Sequence, residues 1–145
     1  MIDEIHVDTR PHRSQRYDTV GDWRIDAAAE ILWVDVSRLR DWRMGMCTAV
    51  HEIIEALLCH NDGVAEQDVS TFDVAYERAR WAGVAAPCGC VPTADSEPGE
   101  DRHAPYRSQH AFADGIERLL ADRLGLSWSE YSQRVGALSY PEEPV

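Results

Sequence analysis

The residues best equipped for chemistry stand together at His51-Glu52-Ile53-Ile54-Glu55. Around them Met46, Ala49, Val50, Ile53, Ile54, Ala56, Leu57 and Leu58 spread apolar surface over more than half of a helical circumference at 100° per residue. An ionisable group in such a helix must be paired, metal-bound or strongly perturbed, because an isolated charge is expensive to bury. His51 and Glu55, four residues apart, project about 40° apart and one turn along the axis, so they converge on one point. Glu52 projects about 100° away. Imidazole nitrogen and carboxylate oxygen both ligate divalent metals at about 2.0–2.2 Å, with Zn²⁺ the favoured ion and Mn²⁺ or Mg²⁺ compatible.

A third ligand is needed, and the other histidines are His6, His12, His60, His103 and His110. His110 shares a polar stripe with Asp114 and Glu117, within about 60° on the side of a helix away from Phe112 and Leu119. If that helix packs beside the first, His51, Glu55 and His110 form a His₂Glu set with an open fourth position. Glu52 is then the candidate general base on a metal-bound water, and Asp73 or Glu117 the candidates to orient a ligand histidine from behind. The spacing echoes the zincin helix, where two histidines four apart hold zinc and the glutamate after the first polarises water. Here Glu55 stands in the second histidine's place, which puts peptidase activity in doubt.

Two other readings stay open. His51 bonded to a neighbouring carboxylate, with Glu52 and Glu55 as a solvated strip, needs no metal at all. Alternatively Glu52, Glu55, Asp73 and Glu77 put four carboxylates on two helices, a superficial resemblance to the all-α nucleotide pyrophosphohydrolases of the MazG type, which implies a Mg²⁺-dependent enzyme. The strands that precede the helices do not fit that all-helical plan, and the ordinary reading of Asp73 and Glu77 is an exposed i,i+4 face.

The elements that must position these groups follow from patterning. Ile5 and Val7, Trp23 and Ile25, and Ile31 to Val36 read as three short strands of a small antiparallel meander, with Arg10 to Tyr17 as a loop. Asp41 caps a helix from Trp42 to about His60, which Gly63 stops. A second helix is expected over Glu66 to Ala82, with Val69, Phe72, Tyr76 and Ala79 on one face, and Gly83 ends it. The proline-rich stretch from Gly83 to Tyr106 is a long loop, suited to border a site or to be disordered. A third helix runs from about Arg107 to Leu124, its core arc formed by Phe112, Ile116, Leu119, Leu120 and Arg123. Ser127-Trp-Ser-Glu130 matches a capping box that opens a short last helix, and residues 141–145 are a disordered tail. The expectation is one α+β domain over residues 1–140: a small N-terminal antiparallel β-meander, then three to four packed helices with a zincin-like active helix.

Composition narrows the classes. A chain of 145 residues is long enough to remove roughly 70% of its unfolded surface from water. With 26 acidic against 14 basic residues the net charge is -12, a field that repels phosphate backbones and anionic membranes. Direct nucleic-acid binding is disfavoured, no apolar run is long enough to span a membrane, and a cytoplasmic protein is expected. In a reducing compartment Cys47, Cys59, Cys88 and Cys90 default to free thiols. Cys47 and Cys59 read as buried small hydrophobes. Cys88-Gly-Cys90 is one residue shorter than a zinc knuckle and lacks a second pair, which weakens a structural zinc there.

Gln15-Arg-Tyr-Asp-Thr-Val-Gly-Asp-Trp23, Val50-His-Glu-Ile-Ile-Glu-Ala-Leu-Leu-Cys59, Phe72-Asp73, and Pro105-Tyr-Arg-Ser-Gln-His110 with Glu117-Arg118 resemble segments of a family of small bacteriophage and prophage proteins. The resemblance covers positions 15 to about 131. It implies a phage-encoded protein acting in a bacterial host cytoplasm and leaves the activity, substrate and oligomeric state open. Two function classes fit: a metal-dependent hydrolase-like protein, or a non-enzymatic acidic protein that binds a host or anti-phage defence protein by electrostatic steering.

Overall fold

The computed structural model describes residues 1–140; the tail expected at 141–145 lies outside them. Three strands, β1 (Glu4–Arg10), β2 (Gly21–Asp26) and β3 (Ile31–Ser37), precede four helices, α1 (Trp42–Asp62), α2 (Glu66–Ala82), α3 (Arg107–Arg123) and α4 (Trp128–Gly136). This is the α+β class that the sequence predicts.

The sheet is mixed rather than an antiparallel meander. Its order is β1-β3-β2, with β2 antiparallel and β1 parallel to β3. The physical reason lies in the β1–β2 connection, whose ten residues can cross the end of the sheet where a two-residue hairpin loop would force neighbouring strands to pair. That crossing is pinned over the C-terminal end of β3: His12 Nδ1 lies 2.8 Å from Ser37 Oγ, Gln15 Nε2 donates to Ser37 Oγ at 3.1 Å, and Ser37 Oγ donates to the Thr19 carbonyl at 3.2 Å.

Alternation along β3 divides the sheet's two faces. Leu32, Val34 and Val36, all fully buried, form the core with Trp23, Ala49, Ala56 and Cys59, so this face meets α1. Asp35 on the opposite face is buried as well, and it is held by Arg10 at 3.0 Å and Arg24 at 2.5 Å. Register places Gly21 opposite Val36 and Trp23 opposite Val34, so every second residue of β2 faces the helix. That phase delivers Gly21 and Trp23 to the site described below.

Helix α1 starts where Asp41 accepts from the Arg43 amide and ends at Gly63, whose φ of 75° suits glycine. It runs antiparallel to α3, since Arg43 donates to the Leu124 carbonyl near one end and Gln109 to Asp62 at the other. Cys47 and Cys59 are fully buried free thiols, as expected.

The expected core face of α3 holds only for Ile116 and Leu120, which are half-buried, Leu120 packing against Met44, Cys47, Ala121 and Tyr131. Phe112 and Leu119 are 58% and 68% exposed, while Gln109, His110, Ala113 and Ala121 are buried. Small Ala113 and Ala121 permit close approach to α1, and the polar stripe is tolerated there because His110 and Glu117 are paired with Glu55 and His51 across the interface and Asp114 with Arg118 on α3 itself. Cys88 and Cys90 differ from the free-thiol expectation too, being joined as a disulfide. No helix among the described residues is long and apolar enough to cross a membrane.

Candidate metal centre

Helices α1 and α3 bring His51, Glu55 and His110 into a group that could hold a metal ion. His51 Nε2 and His110 Nδ1 are 3.2 Å apart, and Glu55 Oε2 lies 3.2 Å from the first and 3.0 Å from the second. Tetrahedral donors at about 2.0–2.1 Å from a shared zinc would stand about 3.3 Å from each other. The triangle of donors therefore has nearly the size of a coordination face. All three residues are buried.

Each donor is braced from behind. Glu117 Oε1 lies 2.9 Å from His51 Nδ1, an ion-pair contact rather than an aligned hydrogen bond. His110 Nε2 meets Glu97 Oε2 at 3.1 Å, and the Trp23 indole donates to Glu55 Oε1 at 3.0 Å. Carboxylates on the far nitrogens of two imidazoles fix which nitrogens point inward, the arrangement common around metal-ligating histidine. Without a cation, protons must hold the three donors together. Burial alone would pull the His110 imidazole down, but Glu55 and Glu97 outweigh it and push it up to about 10. Burial likewise opposes charge on His51, and Glu117 and Glu55 raise it well above the usual histidine range. Glu55 is pushed up by burial, yet hydrogen bonds with His110 and His51 win and hold it down at about 2.

Glu52 is treated differently. It is 8% exposed, lines the cavity and takes no hydrogen bond from any described residue. Burial, followed by the neighbouring charge of Glu55, pushes its carboxyl well above the usual range. Gly21 makes this placement feasible, since a Cβ there would stand 2.6 Å from Glu52 Oε1. Gly99 plays the same part for His110, where a Cβ would lie 2.4 Å from the imidazole Cγ. Both glycines are spacers for a side chain of the centre.

Asp73 does not reach a histidine. Its two oxygens accept the hydroxyls of Tyr17, at 2.8 Å, and of Tyr106, and burial pushes its carboxyl up to about 7. Glu77 is paired with Arg80 at 2.9 Å. The carboxylates of α2 thus serve phenols and an arginine, and the four-carboxylate group considered for Mg²⁺ is not among the metal-competent clusters of the described residues. Glu97, Gly99, Gly21 and Trp23 were not anticipated. Glu97 and Gly99 lie in the acidic proline-rich stretch, whose composition gives no sign of which residue turns inward.

The centre opens into a cavity of about 660 Å³ between the β1–β2 connection, the four helices and the 94–99 segment, a size suited to small ligands. Its two arginines are already engaged: Arg16 with Asp22 at 2.6 Å and Glu66 at 3.3 Å, Arg80 with Glu77. Further carboxylates of Asp18, Asp95, Glu97 and Asp114 line it, so its field favours cations. Comparison with family models, with curated proteins and with solved structures finds no match to the chain. What the site can do therefore rests on its own geometry.

Proposed function

We propose that the protein is a phage-encoded, metal-dependent hydrolase-like enzyme in which His51, Glu55 and His110 bind a divalent cation, Zn²⁺ by preference, and Glu52 serves as general base on its water. The observation that carries this reading is the triangle of donor atoms at 3.0–3.2 Å, with a carboxylate behind each imidazole. Three protein ligands leave the fourth position for water, whose pKa a zinc ion lowers toward about 7. Glu52, buried without a hydrogen-bond partner on the cavity wall, is suited to take a proton from that water. On this view α1 is a zincin-like active helix with a carboxylate in place of the second histidine. The acidic cavity lining argues against a triphosphate substrate, since an anion would meet carboxylates and already-paired arginines.

Elemental analysis of protein with the Cys88–Cys90 disulfide closed, prepared without chelators or a histidine tag, tests the reading. One equivalent of metal in the wild type, absent from His51→Ala and Glu55→Ala chains that remain folded, supports it; a wild type that stays empty at saturating Zn²⁺, Mn²⁺ and Mg²⁺ ends it. Glu52→Gln should keep the metal and lose hydrolysis.

A second reading, a non-enzymatic protein that binds a host or defence protein, draws on the outward aromatic and aliphatic side chains Trp42, Trp81, Phe112 and Leu119. It expects alanine at His51 to lower stability without changing metal content, and Phe112→Ser with Leu119→Ser to abolish partner capture.

A further inference from the structure

We propose a second metal centre, used only when the chain is reduced, in which the thiolates of Cys88 and Cys90 and the carboxylate of Asp101 hold one thiophilic divalent cation such as Zn²⁺. It shares no residue with the His51 centre and does not depend on that reading.

Three observations converge. One ligand atom each from Cys88, Cys90 and Asp101 lie within 4.8 Å of one another, although Asp101 is eleven residues beyond Cys90. Asp101 is only 7% exposed, and its two oxygens are treated unequally: Oδ1 accepts the His103 amide at 2.8 Å, whereas Oδ2 is buried with no hydrogen-bond partner. A buried carboxylate oxygen without a donor is unfavourable, and the disulfide beside it offers neither proton nor charge. A cation between Oδ2 and two thiolates would supply what is missing.

The local backbone suits chelation by two cysteines one residue apart. Gly89 adopts φ 88°, and the Ala86 amide closes the turn on the Cys90 carbonyl at 2.8 Å. The Cys90 amide donates to Cys88 Sγ at 3.2 Å, so a backbone donor already faces that sulfur. Cys88 packs against the Tyr76, Ala79 and Ala86 cluster while Cys90 is exposed, so one sulfur is anchored and the other is open to attack. Two thiolates and a carboxylate leave a fourth position for water, and the sulfur ligands select a soft ion over Mg²⁺ or Ca²⁺.

The chemistry balances with an external dithiol as reductant. One of its thiolates attacks the exposed Cys90 sulfur and displaces the Cys88 thiolate, and its second thiol then resolves the mixed disulfide. The reductant leaves as its own disulfide, two electrons and two protons having passed to Cys88 and Cys90. Binding of the divalent ion to the two thiols releases two protons to solvent. Oxidation of the cysteines reverses this and expels the ion.

Co²⁺ titration of the full chain tests the proposal, because only sulfur ligands give an intense thiolate-to-cobalt charge-transfer band in the near ultraviolet and the His51 centre contains none. Phosphine-reduced wild type should show the band at the intensity of one thiolate-bound cobalt per chain, and the oxidised chain should not. Cys88→Ser and Cys90→Ser should abolish it, and Asp101→Asn should weaken binding about tenfold or more. Should a variant fail to fold, alkylation of the reduced wild type read by mass spectrometry replaces it: Zn²⁺ should protect Cys88 and Cys90 together. A reduced wild type without the band, a band that survives loss of Cys88 and Cys90, equal alkylation with and without Zn²⁺, or undiminished binding by Asp101→Asn overturns it.

Discussion

The two candidate centres hold their donors by opposite means. His51, Glu55 and His110 come from helices 55 residues apart in sequence at the Glu55–His110 contact, and each is braced by a group from elsewhere, Trp23 on a strand, Glu97 in a loop and Glu117 on α3. Cys88, Cys90 and Asp101 sit in one loop, where a covalent bond joins the two sulfurs. The comparison teaches that tertiary packing can preorganise a binding site independently of redox state, whereas a local loop site can be switched because little else holds it.

The largest effect should come from removing a donor. His51→Ala or Glu55→Ala is expected to lower metal affinity at the helical centre by more than about 100-fold, beyond the usual outer-shell loss. Equilibrium dialysis with Zn²⁺ measures it, and the thiolate-to-cobalt band of the reduced loop should persist in the same proteins. Loss of both together would show that the centres are not separate.

Gly99→Ala comes next. The added Cβ would lie 2.4–2.8 Å from three atoms of the His110 ring, so the ring must move. A loss of roughly 10–100-fold in affinity is expected at the helical centre, with about 1–3 kcal/mol of destabilisation from overpacking. Competition against a chromophoric chelator and urea unfolding read the two quantities, and unchanged affinity would mean that the loop does not position the imidazole.

Glu117→Gln and Glu97→Gln test the braces themselves. Each should lower affinity by about tenfold while leaving the fold intact, and Glu117→Gln should be the stronger because Glu117 is the more buried of the two, 12% against 54% side-chain exposure. Unchanged affinity in Glu97→Gln would argue that solvent, not the protein, orients His110.

The smallest effect concerns pH and a carboxyl outside both centres. Asp73 ionises at about 7 when folded against 3.8 ordinarily, chiefly because it is buried. A carboxyl raised in this way favours folding while protonated, so its stabilisation is full at low pH and is lost as pH rises from about 4 through 7. Asp73→Asn should therefore be less stable than wild type at pH 5, and the gap should narrow by pH 8 in urea unfolding of metal-free protein. A gap that widens with pH would contradict the assignment.

Much of this was readable from the chain because the relevant signals are local. Asp41, Gly63 and Gly83 mark helix ends through capping and positive φ, and the predicted bounds of α1 and α2 fall within two residues of the observed ones. His51 and Glu55 converge because four residues make one turn. The direction of β1 was not readable, since strand spacing carries no record of which edge a ten-residue connection reaches. Nor was the face of α3: hydrophobicity pointed Phe112 and Leu119 inward, whereas Ala113, Ala121 and the paired His110 and Glu117 decide the packing. Gly99 and Glu97 act across the fold on His110, and nothing in their own neighbourhood announces it.

The threading of the sheet bears on how the chain comes together. β2 and β3 are joined by four residues and can zip as a hairpin at once, but β1 has no partner until β3 has been added more than twenty residues later. During synthesis the first strand must wait in water as an unpaired edge. Its sequence is adapted to waiting: Glu4, His6, Asp8 and Arg10 alternate with Ile5, Val7 and Thr9, and charges on a lone strand discourage it from pairing with a neighbouring chain before its own partner arrives.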